Sequence, residues 1–147
     1  MLDDKDEKIL RELVADGRKS VVDISEELGV PRATIQERLN KMIRSGVIRK
    51  FAAIPDYSKI GKQVTAYIFV SFRGEESISQ RALAEEISGI PGVYEVSVIS
   101  GEWDILLKVR AGSVEEIGNF VVDRLRRMKG IEKTETCVAF QMIKESF

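Results

Sequence analysis

The apolar residues of this 147-residue chain change their spacing near the middle of the sequence. In residues 4–45 they recur every three or four positions, the spacing of helices that bury one face. From Val64 to Phe72 every second residue is apolar, the spacing of a strand with one buried face. The change predicts two small domains of different architecture, a helical one and an α+β one.

Three helices and a short strand are predicted in the first domain, residues 1–54. The helices occupy residues 3–16, 20–28 and 31–45, and Gly29 and Gly46 stop the second and third. Val47–Ile54 alternates like a strand, and a helix-turn-helix followed by a strand predicts a winged-type domain. The apolar residues predicted to face the core are Ile9, Leu10, Leu13, Val14, Val21, Ile24, Leu28, Ile35, Leu39, Met42 and Ile43.

Positive charge is concentrated in the third predicted helix and just after it. The whole chain carries a net charge of −1, but residues 31–50 hold six basic residues against the single acid Glu37. The major groove of DNA admits a helix, and the phosphates beside it attract cations. The predicted DNA-binding residues are Ser20, Arg32, Ala33, Thr34, Gln36, Glu37, Arg38, Lys41, Arg44, Arg49 and Lys50.

These residue types fit two tasks within one interface. Arg32, Thr34 and Gln36, early in the helix, have side chains that reach base edges. Arg38, Lys41 and the later cations suit phosphates, and Ser20 stands at a helix N-terminus. The helix pattern alone also fits a plain three-helix bundle with a solvated basic face, in which Glu37 pairs with Lys41.

Residues 55–63 read as a linker, and residues 64–147 as the second domain. Its predicted order is β-α-β-β-α-β, the ferredoxin-like split βαβ arrangement. Ser77 and Ser113 are the predicted caps of its two helices, with Val114 and Met128 among the inward residues of the second. The last strand is predicted near residues 134–143.

Helices on one side of that sheet would leave its other side open. Apolar side chains are predicted on this open face, and so large an apolar face on a small domain implies an oligomer. The residues predicted to lie there are Tyr67, Phe69, Ile99, Leu106, Ala139 and Ile143.

Composition excludes several kinds of chemistry. The chain has no histidine, which removes Ser-His-Asp and Cys-His catalysis, His-ligated haem and most zinc sites. Its single cysteine, Cys137, permits no internal disulfide. The acidic N-terminus does not look like a signal peptide, and the apolar runs are too short for a membrane span. We therefore expect a cytoplasmic protein that has no catalytic residues, no metal and no cofactor.

Several segments together resemble the Lrp/AsnC (feast/famine) family of prokaryotic transcription regulators. Residues 20–61, SVVDISEELGVPRATIQERLNKMIRSGVIRKFAAIPDYSKIG, look like the N-terminal half of that family. Residues 2–18, LDDKDEKILRELVADGR, are similar to its first helix, which begins L-D-x-x-D. Residues 91–109, PGVYEVSVISGEWDILLKV, match its G-V-x-E and T/S-G-x-[YFW]-D segments, with Glu102 and Trp103 where many members have Asp and Tyr.

The resemblance covers essentially the whole chain and implies an archaeal regulator that binds double-stranded operator DNA. It also implies a homodimer that assembles to a tetramer or octamer, and an amino-acid effector bound between dimers. Glu102 and Asp104 would meet the effector's ammonium group, and the other residues its carboxylate or the interface. The implied effector-binding residues are Ser100, Gly101, Glu102, Trp103, Asp104, Thr134 and Thr136.

Other interpretations remain open at this point. Asp104 could serve only to anchor the Ser100–Asp104 turn through hydrogen bonds, and Trp103 could serve only to fill space at an interface. An architectural DNA-binding protein without an effector has the same features. The architecture also resembles sirohaem decarboxylases, but histidines serve in their tetrapyrrole site and this chain has none.

Overall fold

The computed structural model describes residues 2–74 and 77–145, in two compact units, Met1–Ile54 and Pro55–Phe147. The first unit is helical, and the second combines a four-stranded sheet with helices, so the predicted α+β fold class is confirmed. The elements are α1 (Asp4–Ala15), α2 (Val21–Leu28), α3 (Arg32–Arg44), a 3-10 helix (Tyr57–Ile60), β1 (Val64–Phe72), α4 (Gln80–Ser88), β2 (Val93–Val98), β3 (Ile105–Ala111), α5 (Val114–Asn119), a π turn (Phe120–Arg124), a 3-10 turn (Leu125–Arg127) and β4 (Ile131–Val138).

The first two helices begin at capping boxes that the sequence encodes locally. The Asp3 carboxylate accepts the backbone N–H of Asp6, and the Asp6 carboxylate accepts the N–H of Asp3. Ser20 and Asp23 repeat this exchange at the start of α2. Each box satisfies amide groups that the first turn of a helix leaves without partners. Gly29 then ends α2 with φ 63°, a conformation that suits glycine, and Pro31 leads into α3.

The core of the first unit contains one or two residues from each helix. Ile9 and Leu13 of α1, Ile24 of α2, and Ile35 and Met42 of α3 are buried, while Leu10, Val21, Leu28 and Leu39 pack at its edge. Val14 and Ile43 were predicted to face this core, but both are exposed. Each directly follows a buried residue and is therefore turned about 100° away from it around the helix.

The prediction of a strand at Val47–Ile54 is wrong. Residues 45–48 form a turn and bends, and residues 49–56 have no regular secondary structure. An alternating segment becomes a strand only when a neighbouring strand supplies its hydrogen bonds, and this unit offers none in the described residues. Phe51 and Ile54, the apolar residues that favoured a strand, are more than half exposed.

The second unit has the predicted ferredoxin-like topology. Its four strands are antiparallel in the order β2-β3-β1-β4. Every second residue of β1 points to the helices, with Ala66, Ile68 and Val70 fully buried, as the period of two predicted. The rest of this core comes from β3 and the helices and includes Leu83, Ile87, Ile105, Leu107, Val109, Ile117, Val121 and Leu125.

Both helices of the second unit differ in detail from the predictions. Ser79, not Ser77, caps α4, because its hydroxyl accepts the N–H of Ala82. Ser113 caps α5 as predicted, but Val114 in the first turn is exposed. The next buried residues, Ile117, Val121 and Leu125, are four positions apart, which exceeds the α-helical period of 3.6. The π turn widens the helix there and keeps them in line.

The last strand starts and ends earlier than predicted. β4 spans Ile131–Val138, and Ala139 makes the last bond to β1 by donating its N–H to the Thr65 carbonyl. β1 begins at Val64, so residues 140–143 have no partner with which to continue the strand. Ile143 therefore lies outside the sheet and is exposed, whereas Tyr67, Phe69 and Leu106 are half-buried on the open face.

Candidate nucleic-acid interface and effector loop

The turn between α2 and α3 has the form of a helix-turn-helix, and α3 presents one exposed face. Ala33, Gln36 and Glu37 are exposed on it, and Thr34 is half-buried. Gln36 donates a 3.1 Å hydrogen bond to Asn40, four residues later. Arg32 lies 3.6 Å from Glu26 in an exposed pair, which holds it weakly.

Four predicted phosphate contacts are exposed at or beyond the end of α3. They are Lys41, Arg44, Arg49 and Lys50, and they form no ion pair within residues 2–74 and 77–145. The pairing of Glu37 with Lys41 that helical spacing allows is therefore absent from the described structure. These four cations remain available to an anionic partner.

Arg38 has a different environment from the other cations of α3. Its Nη1 donates to both Asp3 carboxylate oxygens, at 2.7 and 2.6 Å, and to Asp6 Oδ1 at 2.8 Å. These bonds hold the pKa of Asp3 at about 2, below its ordinary 3.8, and raise the pKa of Arg38. The guanidinium thus links the third helix to the start of the first. Asp3 and Asp6 lie 35 and 32 residues from Arg38 in sequence, which is why the pattern of α3 alone could not reveal the pairing.

Ser20 also makes local contacts. Its hydroxyl accepts the Asp23 N–H at 3.1 Å and donates to the Asp23 carboxylate at 2.6 Å. These bonds lower the pKa of Asp23. The hydroxyl is therefore engaged in capping α2, and only the exposed position of Ser20 favours a phosphate contact.

The Ser100–Asp104 loop joins β2 to β3 and contains two acidic residues in different environments, Glu102 and Asp104. Asp104 accepts the N–H of Phe72 through Oδ2 at 2.7 Å and the Gln80 amide through Oδ1 at 3.2 Å. Its own N–H donates to the Val70 carbonyl. Glu102 is exposed and has no ion pair in the part of the chain that the structure describes.

The remaining loop residues present both backbone and apolar surface. Gly101 has φ 120°, where a side chain would be strained, and nothing lies within 4 Å of the position of a Cβ. Ser100 is exposed beside it. Trp103 is half-buried, with its ring centroid 6.0 Å from that of Phe69 on the open sheet face.

Thr134 and Thr136 of the predicted effector site lie on β4, and β1 stands between β4 and β3 in the sheet. Thr134 is paired in register with Val70, and Thr136 with Ile68, so β1 separates both from the loop within one chain. The Thr134 hydroxyl accepts a 2.9 Å hydrogen bond from Arg126 Nε. A concavity of about 420 Å³ opens there, lined by Arg126, Ile131, Glu132, Lys133 and Thr134.

Two features of the second unit were not predicted. A concavity of about 510 Å³ lies beside the π turn, lined by Ser77, Ile78, Glu86, Asp123, Arg124, Arg127, Met128 and Lys129. On the open sheet face, Lys108 and Arg110 are buried and pair with Glu145 near the C-terminus. The alternation of basic and apolar residues in ILLKVR was the available signal, since residues two apart in a strand share a face.

Arg110 is enclosed by aromatic rings. Its guanidinium carbon lies 3.5 Å from the ring centroid of Tyr57 and 5.2 Å from that of Tyr94. Burial opposes ionisation of Glu145, but its bonds to Lys108 and Arg110 outweigh this and lower the pKa of its carboxyl. The 3-10 helix in the predicted linker thereby packs on the second unit through Tyr57.

Within the described residues the chain has neither a cluster of metal-binding side chains nor a membrane-spanning helix. No group of three or more His, Cys, Asp or Glu side chains in residues 2–74 and 77–145 is placed to hold a metal ion. Over the same residues, no helix is both long and apolar enough to cross a membrane. Cys137 is exposed on β4.

Comparisons with known proteins assign both units. A profile described as winged helix-turn-helix DNA-binding matches residues 2–49, and one described as Lrp/AsnC ligand binding domain matches residues 65–147. An uncharacterised HTH-type transcriptional regulator of Pyrococcus abyssi is 41% identical over 145 residues, covering 99% of this chain and 97% of its own. The HTH-type transcriptional regulator FL11 of Pyrococcus horikoshii is 33% identical, covering 99% and 93%.

Solved structures agree with these matches. A transcriptional regulator of Neisseria meningitidis, crystallised as an L-Met complex, superposes with a TM-score of 0.93 at 26% identity, covering 99% of this chain and 94% of its own. Escherichia coli AsnC superposes with a TM-score of 0.89 at 20% identity, covering 100% and 97%, and supports the fold alone. Fold and sequence together define a transcription regulator with a helix-turn-helix DNA-binding domain and a ligand-binding domain. The chain belongs to the Lrp/AsnC family.

Proposed function

We propose that this regulator binds specific sites on double-stranded DNA through the exposed face of α3, and that a free amino acid modulates this binding. The strongest support is the set of four exposed cations, Lys41, Arg44, Arg49 and Lys50, which have no internal ion pair in the described structure. They suit phosphate contacts, which supply affinity but no sequence information. Arg32, Thr34 and Gln36, with Ala33 and Glu37 beside them, suit contacts to base edges.

The effector would bind at the Ser100–Asp104 loop. Glu102 is the carboxylate best placed for the ammonium group, because it is exposed, whereas Asp104 is half-buried and each of its oxygens already accepts a hydrogen bond. The exposed Ser100 hydroxyl and the backbone at Gly101 suit the ligand carboxylate. The Neisseria meningitidis relative, solved with L-Met, supports an amino acid as the chemical class.

A second copy of the chain would complete the effector site. Thr134 and Thr136 are separated from the loop by β1 within one chain, so we expect a ligand that meets both groups to lie where two chains come together. Arg126 lies beside Thr134 and would add a cation for the ligand carboxylate. Assembly of dimers to a tetramer or octamer would create such contacts between dimers.

The homodimer itself would form on the open sheet face. Tyr67, Phe69 and Leu106 provide apolar surface there, and the exposed Phe140 and Ile143 follow the last strand. Glu145 neutralises part of the charge of Lys108 and Arg110, which reduces repulsion when two identical faces approach each other.

Selection of genomic fragments on the purified full chain tests the proposal. Fragments are recovered without ligand and with each of the common amino acids, while light scattering follows the assembly. We expect a limited set of enriched sequences, and a change in their enrichment or in the assembly with at least one amino acid. Recovery of fragments with no sequence preference, and no response to any amino acid, would contradict the proposal.

A further inference from the structure

Arg38 differs in position from the other cations of α3, the proposed recognition helix of the helix-turn-helix. With about 100° per residue, it lies about 40° around the helix from Met42 and about 60° from Ile35. Both of those residues are fully buried, so Arg38 stands at the edge of the buried stripe. Lys41 and Arg44 point away from that stripe and are exposed.

The carboxylate that faces Arg38 is unusual for a small helical unit. Asp6 is 1% exposed, in the first turn of α1, and a buried carboxylate requires compensation. Its Oδ1 accepts Arg38 Nη1 at 2.8 Å, and its Oδ2 accepts the N–H of Asp3 at 3.2 Å. Arg38 is the cation that compensates the buried charge.

The same guanidinium nitrogen also joins the capping residue of α1. Asp3 presents both oxygens to Arg38 Nη1 while it accepts the N–H groups of Lys5 and Asp6. The start of α1 and the middle of α3 therefore share one hydrogen-bonded cluster. The Arg38 side chain is 24% exposed, far less than the 62% of Arg32.

We infer that Arg38 is a positioning residue, which sets the orientation of the recognition helix against α1, and that it does not contact a DNA phosphate. This inference rests on the proposed binding of DNA through α3. A guanidinium that leaves Asp6 to reach a phosphate would strand a buried carboxylate without its cation, which is a strongly unfavourable exchange.

Asp6→Asn separates the two roles by the sign of its effect on DNA binding. Asp6→Asn removes the buried charge and weakens the hold on Arg38, which keeps its bonds to Asp3. A phosphate-binding Arg38 would then strengthen DNA binding, whereas a positioning Arg38 loses its buried partner and DNA binding weakens. Arg38→Gln should weaken binding by a similar factor, roughly tenfold, which is about 1.4 kcal/mol.

Salt dependence provides the second criterion. Each lost phosphate contact reduces the slope of log affinity against log salt by about 0.9 on duplex DNA. We expect the Arg38→Gln slope to equal that of the wild type, and the Lys41→Gln slope to be lower by about that amount. Lys41→Gln is the matched control, because it removes one positive charge from the same helix.

The experiment uses the full chain and a labelled duplex recovered by the wild type from genomic fragments. Anisotropy titrations at several salt concentrations give affinity and slope, and far-UV circular dichroism shows which variants are folded. The double variant Asp6→Asn/Arg38→Gln guards against misfolding, since it removes the buried carboxylate together with its cation and leaves two neutral amides. Its affinity should return towards the wild-type value, because coupled residues are not additive, and its slope should equal that of the wild type.

Three results would overturn the inference. The first is a slope of log affinity against log salt that Arg38→Gln lowers as much as Lys41→Gln does. The second is stronger duplex binding by Asp6→Asn. The third is a folded double variant that binds the duplex as weakly as Arg38→Gln does. Each of these leaves the proposed function intact. Absence of salt-dependent duplex binding by the wild type would contradict the proposed function itself and the inference with it.

Discussion

Asp104 accepts the backbone N–H of Phe72 through a 2.7 Å hydrogen bond that joins the Ser100–Asp104 loop to the end of β1. The second Asp104 oxygen accepts the Gln80 amide at the start of α4. The carboxylate thus holds three segments together, which is the anchoring role that the sequence left open. Asp104 therefore holds the loop in place, and Glu102 is the exposed acidic side chain of the loop.

Asp104→Ala is therefore expected to destabilise the second unit by about 2 kcal/mol, because the Phe72 N–H loses a charged acceptor. The chain has a single tryptophan, Trp103, in this unit, and its fluorescence reports unfolding in urea. Glu102→Ala serves as the control and should unfold at the wild-type urea concentration. Equal stability of the two variants would show that Asp104 does not anchor the loop.

Glu102→Gln is expected to weaken amino-acid binding without changing stability. The substitution removes the negative charge that would pair with the ligand ammonium and keeps the size of the side chain. Calorimetric titration with a panel of amino acids that includes L-Met measures the effect, and we expect a loss of about tenfold or more. Unchanged binding of an amino acid that the wild type recognises would place the ammonium group elsewhere.

Glu145→Gln is expected to cost about 2–3 kcal/mol of folding free energy. Lys108 and Arg110 are buried, and without the Glu145 charge they lose their anionic partner. The cost is smaller than is typical of a broken buried pair because 21% of the Glu145 side chain is exposed. Glu95→Gln, an exposed acid on the same sheet, is the control, and equal urea midpoints for the two variants would contradict the prediction.

The contribution of Asp3 to stability should depend on pH. Hydrogen bonds from Arg38 and from backbone N–H groups lower the pKa of Asp3 from 3.8 to about 2 in the folded chain. A lowered pKa means that this stabilisation is complete above about pH 4 and is lost as the pH falls towards 2. Asp3→Asn keeps a good N-cap and removes only the charge.

Urea unfolding followed by far-UV circular dichroism tests this, since the first unit is helical. The wild type should exceed Asp3→Asn in urea midpoint at neutral pH, and the difference should shrink below about pH 4. A difference that stays constant between neutral pH and pH 2 would contradict the role of the charge.

Local patterns predicted most of the fold. The period-two residues of Val64–Phe72 became β1 with the predicted bounds, since β3 and β4 pair with it on both sides. The same kind of pattern failed at Val47–Ile54, because a strand depends on a partner that no local window contains. The capping residues Ser20 and Ser113 were predictable because their partners are three residues away.

The candidate sites were predictable only in part, for the same reason. The exposure of Lys41 and Arg44 follows from the helical period of α3. The pairing of Arg38 with Asp3 and of Lys108 with Glu145 joins residues at least 35 positions apart, and these contacts form only when the chain has folded. Residue type alone does not separate a cation that meets DNA from one that compensates a buried acid.

Exposed cations of the helix-turn-helix are proposed to bind duplex DNA. The most direct measurement compares the salt dependence of duplex binding for the wild type and for the double variant Lys41→Gln/Arg44→Gln. We expect salt-dependent binding by the wild type, with the slope of log affinity against log salt reduced by about 1.8 in the variant, about 0.9 for each lost contact. Equal affinity and slope for the two proteins would contradict the claim.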